Sequence, residues 1–155
     1  MIEIDVASNG GDWAEGDELQ ALSQNAIEAA IPHLETKLPE GAEVSLLFTD
    51  DTQMQKLNKD WREQDKPTNV LSFSANEGGG PITPLLGDII FAFETVTREA
   101  DEQNKLFEHH LTHLIIHGFL HLLGYDHIED HEAEQMEGLE TKILSNLKID
   151  DPYQL

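Results

Sequence analysis

The chain has 155 residues, and its 31 acidic against nine basic side chains give a formal net charge of −22. That removes the long-range attraction on which general nucleic-acid and anionic-membrane binders rely. Cysteine is absent, so disulfides and thiolate sites are excluded and a metal has to be held by imidazole or carboxylate. The length suits one domain with one core. No apolar run approaches the roughly 20 residues of a membrane span, and Met1-Ile2-Glu3-Ile4-Asp5 has neither the basic segment nor the apolar stretch of a leader. A cytoplasmic protein with no membrane partner is expected.

Residues 1–7 alternate Ile2, Ile4 and Val6 with Glu3 and Asp5, the period-2 pattern of a strand with one wet face. From Asp17 to about Lys37 the apolar residues recur at helical spacing, with Pro32 set to kink or end that helix. Val44 to Thr49 reads as a mostly buried strand. Asp50 with Gln53 three positions on is an N-cap, so a helix over residues 51–60 follows. Thr68 to Ser74 is a third strand. Residues 76–84 are rich in glycine and proline and read as a surface loop. Leu85 to Phe93 is a fourth strand, with a bend or bulge at Gly87-Asp88. Helices are expected near 94–104, 107–123 and 130–147. The order β-α-β-α-β-β-α-α-α predicts an α+β fold: a small mixed four-stranded sheet packed with about five helices, in a single domain spanning 1–155.

The densest chemical signal is His117-Gly118-Phe119-Leu120-His121-Leu122-Leu123-Gly124-Tyr125-Asp126-His127. At about 100° per residue, His117 and His121 differ by about 40° and project from one helix face a turn apart. Gly124 can end the helix, and His127 can return from the following loop as a third nitrogen. Three protein ligands with one position left open is the arrangement of catalytic zinc. Solvent-facing histidines are the alternative, but Leu114, Ile115, Ile116, Phe119 and Leu120 leave little wet surface there, and two imidazoles in such surroundings need partners. His110 and His113 extend the stripe upstream, at the rim of the site or behind its ligands, and His131 is a possible substitute ligand.

Gly118 stands where zinc peptidases of the His-Glu-x-x-His type carry their general-base glutamate. Asp126 and Asp88 can orient a ligand or accept a proton, and each can equally be a turn or cap residue. Lys56, Lys59, Arg62 and Lys66 are four of the nine basic residues within eleven positions; the cluster reads either as a solvated helix face or as the place where an anionic substrate is tolerated. Lys59 and Lys66 are candidate substrate contacts.

The His117 to His127 run, together with Leu57-Asn58-x-x-Trp61-Arg62-x-x-Asp65-x-Pro67-Thr68-Asn69-Val70-Leu71-Ser72-Phe73, Leu86-Gly87-Asp88-Ile89, and Glu132 to Met136 with Glu140, resembles the signature of the YbeY family of bacterial ribosomal RNA maturation factors, described as single-strand-specific endoribonucleases. The resemblance implies one zinc ion per chain on His117, His121 and His127, carried on a zincin-like helix, and a functional arginine at Arg62. It also implies single-stranded or precursor ribosomal RNA as substrate, maturation of the 3′ end of the small-subunit RNA, ribosome quality control and a cytoplasmic location. The departures are the acidic excess and the glycines at 78–80. With so acidic a chain, a small-subunit protein or assembly factor is the expected partner, and DNA is not expected. A metallohydrolase of another class, peptidase or amidohydrolase, and a non-enzymatic assembly factor stabilised by zinc are the competing readings.

Overall fold

The computed structural model describes residues 2–35, 37–75, 82–125 and 129–153. In chain order the elements are β1 (Glu3–Ser8), α1 (Gly16–Ala30), a 3-10 turn (Ile31–His33), β2 (Glu43–Thr49), α2 (Asp51–Arg62), β3 (Val70–Ser74), β4 (Leu85–Ala92), α3 (Phe93–Glu102), α4 (Phe107–Leu122) and α5 (Asp130–Asn146). This is the expected α+β arrangement of four strands and five helices. Pro32 lies in the 3-10 turn directly after α1, so the helix ends at Ala30. The Asp50 side chain accepts the Gln53 backbone N–H at 2.8 Å and starts α2.

The sheet runs β1-β2-β4-β3. β1, β2 and β4 are parallel, and β3 is antiparallel to β4 on the edge. Between Glu43 and Val44 the partner jumps from Leu85 to Gly87, so the expected bulge is present. A side chain at Gly87 is ruled out, since its φ is +137° and a Cβ there would come within 2.2 Å of the Phe73 carbonyl oxygen.

The sheet separates two apolar layers. Val44, Leu46, Phe48, Ile89 and Phe91 face the main core with α1, α4 and α5, while Ile90, Ala92 and Leu71 pack under Met54 of α2. Helix α4 is the centre of the larger layer. From His110 to Leu122 every residue is buried except His117 and His121, so an otherwise enclosed helix opens at these two imidazoles. Gly124, at φ +97°, ends it, and its N–H reaches the His121 carbonyl at 3.1 Å.

At Gly118 α4 packs tightly on the sheet: a Cβ there would lie 2.6 Å from Ile89 Cγ2 and 3.1 Å from Ser72 Oγ. The position that would hold a peptidase glutamate therefore has no room for any side chain. Gly118→Ala gains up to about 1 kcal/mol of helix propensity and loses about 1–3 kcal/mol to overpacking. Because the obstructing atom belongs to a stiff, buried β-branched residue, the balance is expected to be destabilising, as a lower Tm. An unchanged or raised Tm would show that the helix can shift off the sheet.

Candidate metal centre

His117 and His121 occupy successive turns of α4, and their Nε2 atoms are 3.1 Å apart with ring planes at 81°. Two nitrogens bound to one zinc at about 2.0–2.1 Å with a tetrahedral angle are roughly 3.4 Å apart, so the pair is close to the spacing a shared ion requires. The donor set, borderline imidazole nitrogen with no thiolate in the chain, suits zinc. His127 and Asp126, the expected third ligand and its neighbour, lie outside the described residues.

Behind His117 stands a group that the spacing of histidines did not reveal. Glu140 of α5 is completely buried, and its Oε1 is 2.5 Å from His117 Nδ1. Its Oε2 accepts the Tyr153 hydroxyl and is 3.5 Å from His113 Nε2. His113, Glu140 and His117 bring three donor atoms within 4.8 Å of one another, so they form a second group able to hold a metal. Burial alone raises the Glu140 carboxyl, but hydrogen bonds from His113 and His117 outweigh it and bring it down to about 2. Burial also holds His113 below the ordinary histidine value, and burial next to Glu140 raises Tyr153. His110 belongs elsewhere: its Nε2 is 2.9 Å from Glu99 Oε1, which also accepts Asn69 Nδ2 at 2.9 Å. Both His110 and His113 are buried rather than on a rim. A cleft of about 630 Å³ passes Asn69, Glu99, His113, His117 and Tyr153.

The lowered Glu140 value fixes a sign. In the unfolded chain this carboxylate takes its proton near 4.5, in the folded one near 2, so its stabilisation is present above about 4.5 and is lost as pH falls toward 2. With metal chelated, the pH-dependent part of the stability gap between wild type and Glu140→Gln is expected to be on the order of 3 kcal/mol at pH 7 and to close over that window. Urea unfolding across the pH range measures it, and a gap independent of pH would mean that Glu140 is not held ionised.

Arg62 closes α2 and is exposed. Its Nη2 donates to the Ser72 carbonyl at 2.8 Å and its Cζ is 4.7 Å from the Phe73 ring centre. Ser72 Oγ in turn donates to the Gly118 carbonyl at 3.1 Å, so one residue of the edge strand joins Arg62 to the turn of α4 that carries His117. Trp61, 68% exposed, stands edge-on to Phe73. Lys59 and Lys66 are both exposed. Asp88 is exposed and shares its sheet face with Ile90 and Ala92, the side covered by α2 rather than by α4.

Sequence reasoning quoted Glu140 only as part of the family signature, with no role, and did not single out Tyr153. The available signal was a charged residue inside the apolar stripe of α5, between Met136 and Ile143, both of which are buried.

Comparison with known proteins identifies the family and the fold. The model of the family described as Endoribonuclease YbeY matches residues 7–148. A protein of Sinorhizobium fredii named Endoribonuclease YbeY is 54% identical over 160 residues, covering 98% of this chain and 92% of its own. A protein of the same name from Rhizobium meliloti is 52% identical, with 98% and 95% covered. A solution structure of a protein from Thermotoga maritima superposes with a TM-score of 0.64 at 28% identity, covering 93% of this chain and 88% of that one. With the match running through α2, the edge strand and the histidine helix alike, the chain belongs to the YbeY family of endoribonucleases.

Proposed function

We propose that this endoribonuclease is zinc-dependent and cuts single-stranded segments of precursor ribosomal RNA, including the 3′ end of the small-subunit RNA, as a single domain in the cytoplasm. The observation that carries the metal part is the pair of Nε2 atoms facing each other at 3.1 Å where the buried run His110–Leu122 of α4 opens. His117 and His121 would hold the ion together with His127, the third histidine of the family signature, and Asp126, its neighbour in sequence, would take or orient a proton. Zinc bound there supplies a Lewis acid for a phosphoryl oxygen and lowers the pKa of water toward neutrality.

The protein's own groups do the rest. Arg62 presents a planar, permanently charged fork that can pair with a second phosphoryl oxygen, while its bond to Ser72 holds it at the edge of β3. Lys59 and Lys66 contact the flanking phosphates, and the exposed face of Trp61 is available to an unstacked base, a contact that only a single strand can make. Asp88, exposed on β4 and paired with Phe73 beneath Arg62, is a further group that can orient a ligand or accept a proton. The net charge of −22 leaves little diffuse attraction for RNA, which supports recruitment by a small-subunit protein or assembly factor.

The test is cleavage of small-subunit precursor RNA and of matched single-stranded and duplex oligonucleotides by zinc-loaded protein, with a chelated control. Single-strand cleavage that disappears on chelation and returns with zinc is expected. Cleavage that persists without metal, or that ignores strandedness, would overturn the proposal.

A further inference from the structure

We infer that Glu140 is a positioning residue of the metal centre: its carboxylate takes the Nδ1–H of His117 from behind, and so turns Nε2 toward the ion without ligating it. The inference rests on the metal reading above and decides between the two groups that share His117. One is the Nε2 pair with His121; the other is the Nδ1 side with Glu140 and His113.

Distances separate them. Two zinc ligands at about 2.0–2.1 Å are roughly 2.9–3.4 Å apart for angles between 90° and 110°. The His117 Nε2 to His121 Nε2 spacing of 3.1 Å falls in that range, whereas Glu140 Oε1 lies only 2.5 Å from His117 Nδ1. That is the spacing of a hydrogen bond and is too narrow for an ion between the two atoms. Glu140 is also committed on its other side, where Oε2 accepts the Tyr153 hydroxyl and lies 3.5 Å from His113. A fully buried carboxylate has nowhere else to turn. In the neutral imidazole one nitrogen carries the proton and the other is free to bind metal, so a fixed acceptor at Nδ1 selects the tautomer with Nε2 unprotonated. Outer carboxylates of this kind orient a histidine ligand and raise its basicity.

Tyr153 extends the device to the C-terminal segment. This segment is tied down by the Tyr153 hydroxyl on Glu140 and by Lys105 Nζ on the Pro152 carbonyl at 3.4 Å. Tyr153→Phe therefore removes one of the donors that aim the carboxylate, and does so without touching His117.

Zinc affinity is to be measured by competition with a chromophoric chelator for wild type, Glu140→Gln and Tyr153→Phe, together with stoichiometry by elemental analysis. Long-range proton–nitrogen NMR of zinc-loaded wild type is to report which His117 nitrogen carries the proton. The expected result is one zinc per chain throughout, an affinity about 10–100-fold weaker in Glu140→Gln, a smaller loss in Tyr153→Phe, and a proton on His117 Nδ1. Loss of stoichiometric zinc in a folded Glu140→Gln, unchanged affinity, or metal on Nδ1 would each overturn the inference. If Glu140→Gln does not fold, Tyr153→Phe and the wild-type NMR spectrum still decide. Wild type that binds no zinc defeats the metal reading itself, whereas wild type that binds it equally with and without the carboxylate defeats only the role of Glu140.

Discussion

Alanine in place of His121 is expected to remove stoichiometric zinc and to reduce RNA cleavage to background, and alanine in place of His117 is expected to do the same with a loss of stability besides. The two differ because of what stands behind each ring. His117 Nδ1 is a partner of the buried Glu140, so its removal leaves a carboxylate short of a donor in a dry site, at a cost of about 1–3 kcal/mol or more. His121 faces Nε2 of His117, on the side away from Glu140, so His121→Ala is expected to cost the metal-free protein less stability than His117→Ala. The loss of affinity should exceed the about 10–100-fold that accompanies loss of an outer hydrogen-bond partner. Zinc content by elemental analysis, cleavage rate, and unfolding in chelator check the three parts. Full zinc content in His121→Ala would remove that residue from the ligand set.

Arg62→Ala is expected to leave zinc content unchanged and to slow cleavage by about 10²–10³-fold, the usual consequence of deleting one donor aimed at developing charge. Its structural cost is small. The side chain is exposed, and the contacts it gives up include a hydrogen bond to Ser72 and a contact over Phe73 worth about 0.5–1 kcal/mol. Arg62→Lys should recover only part of the rate, because an ammonium keeps the charge and loses the planar fork. Single-turnover kinetics with saturating enzyme separates a slowed chemical step from weakened binding. Wild-type cleavage in Arg62→Ala would exclude the guanidinium from the reaction.

The divide between what could be read along the chain and what could not follows the range of the interactions. Alternating Ile2, Ile4 and Val6, the Asp50 cap with Gln53, the break at Pro32 and the stop at Gly124 are local devices acting within a turn or two. The elements appear where those signals place them. The His117 and His121 pair is equally local, because one helical turn separates the rings wherever the helix lies. The family signature was legible for the same reason: its residues come in short runs.

Other features needed the packed molecule. Asp88 reads in sequence as a polar residue near a bulge, and only the strand pairing shows that it shares the α2 side with Ile90 and Ala92. His110 and His113 look like one stripe, yet packing sends His110 to Glu99 on α3 and His113 to Glu140 on α5. Gly118 reads as a missing catalytic base, and the structure gives a steric reason in its contact with Ile89.

By itself, then, the amino-acid order determined the strands and helices, the pair of facing imidazoles, the absence of any thiolate and the family to which the chain belongs. Tertiary structure alone decided that a glutamate 23 residues away would stand behind His117. No periodicity within a helix relates positions on α4 and α5. Their contact depends on how two apolar faces pack across the core, and the polar groups that meet there are the ones whose partners that packing happens to supply.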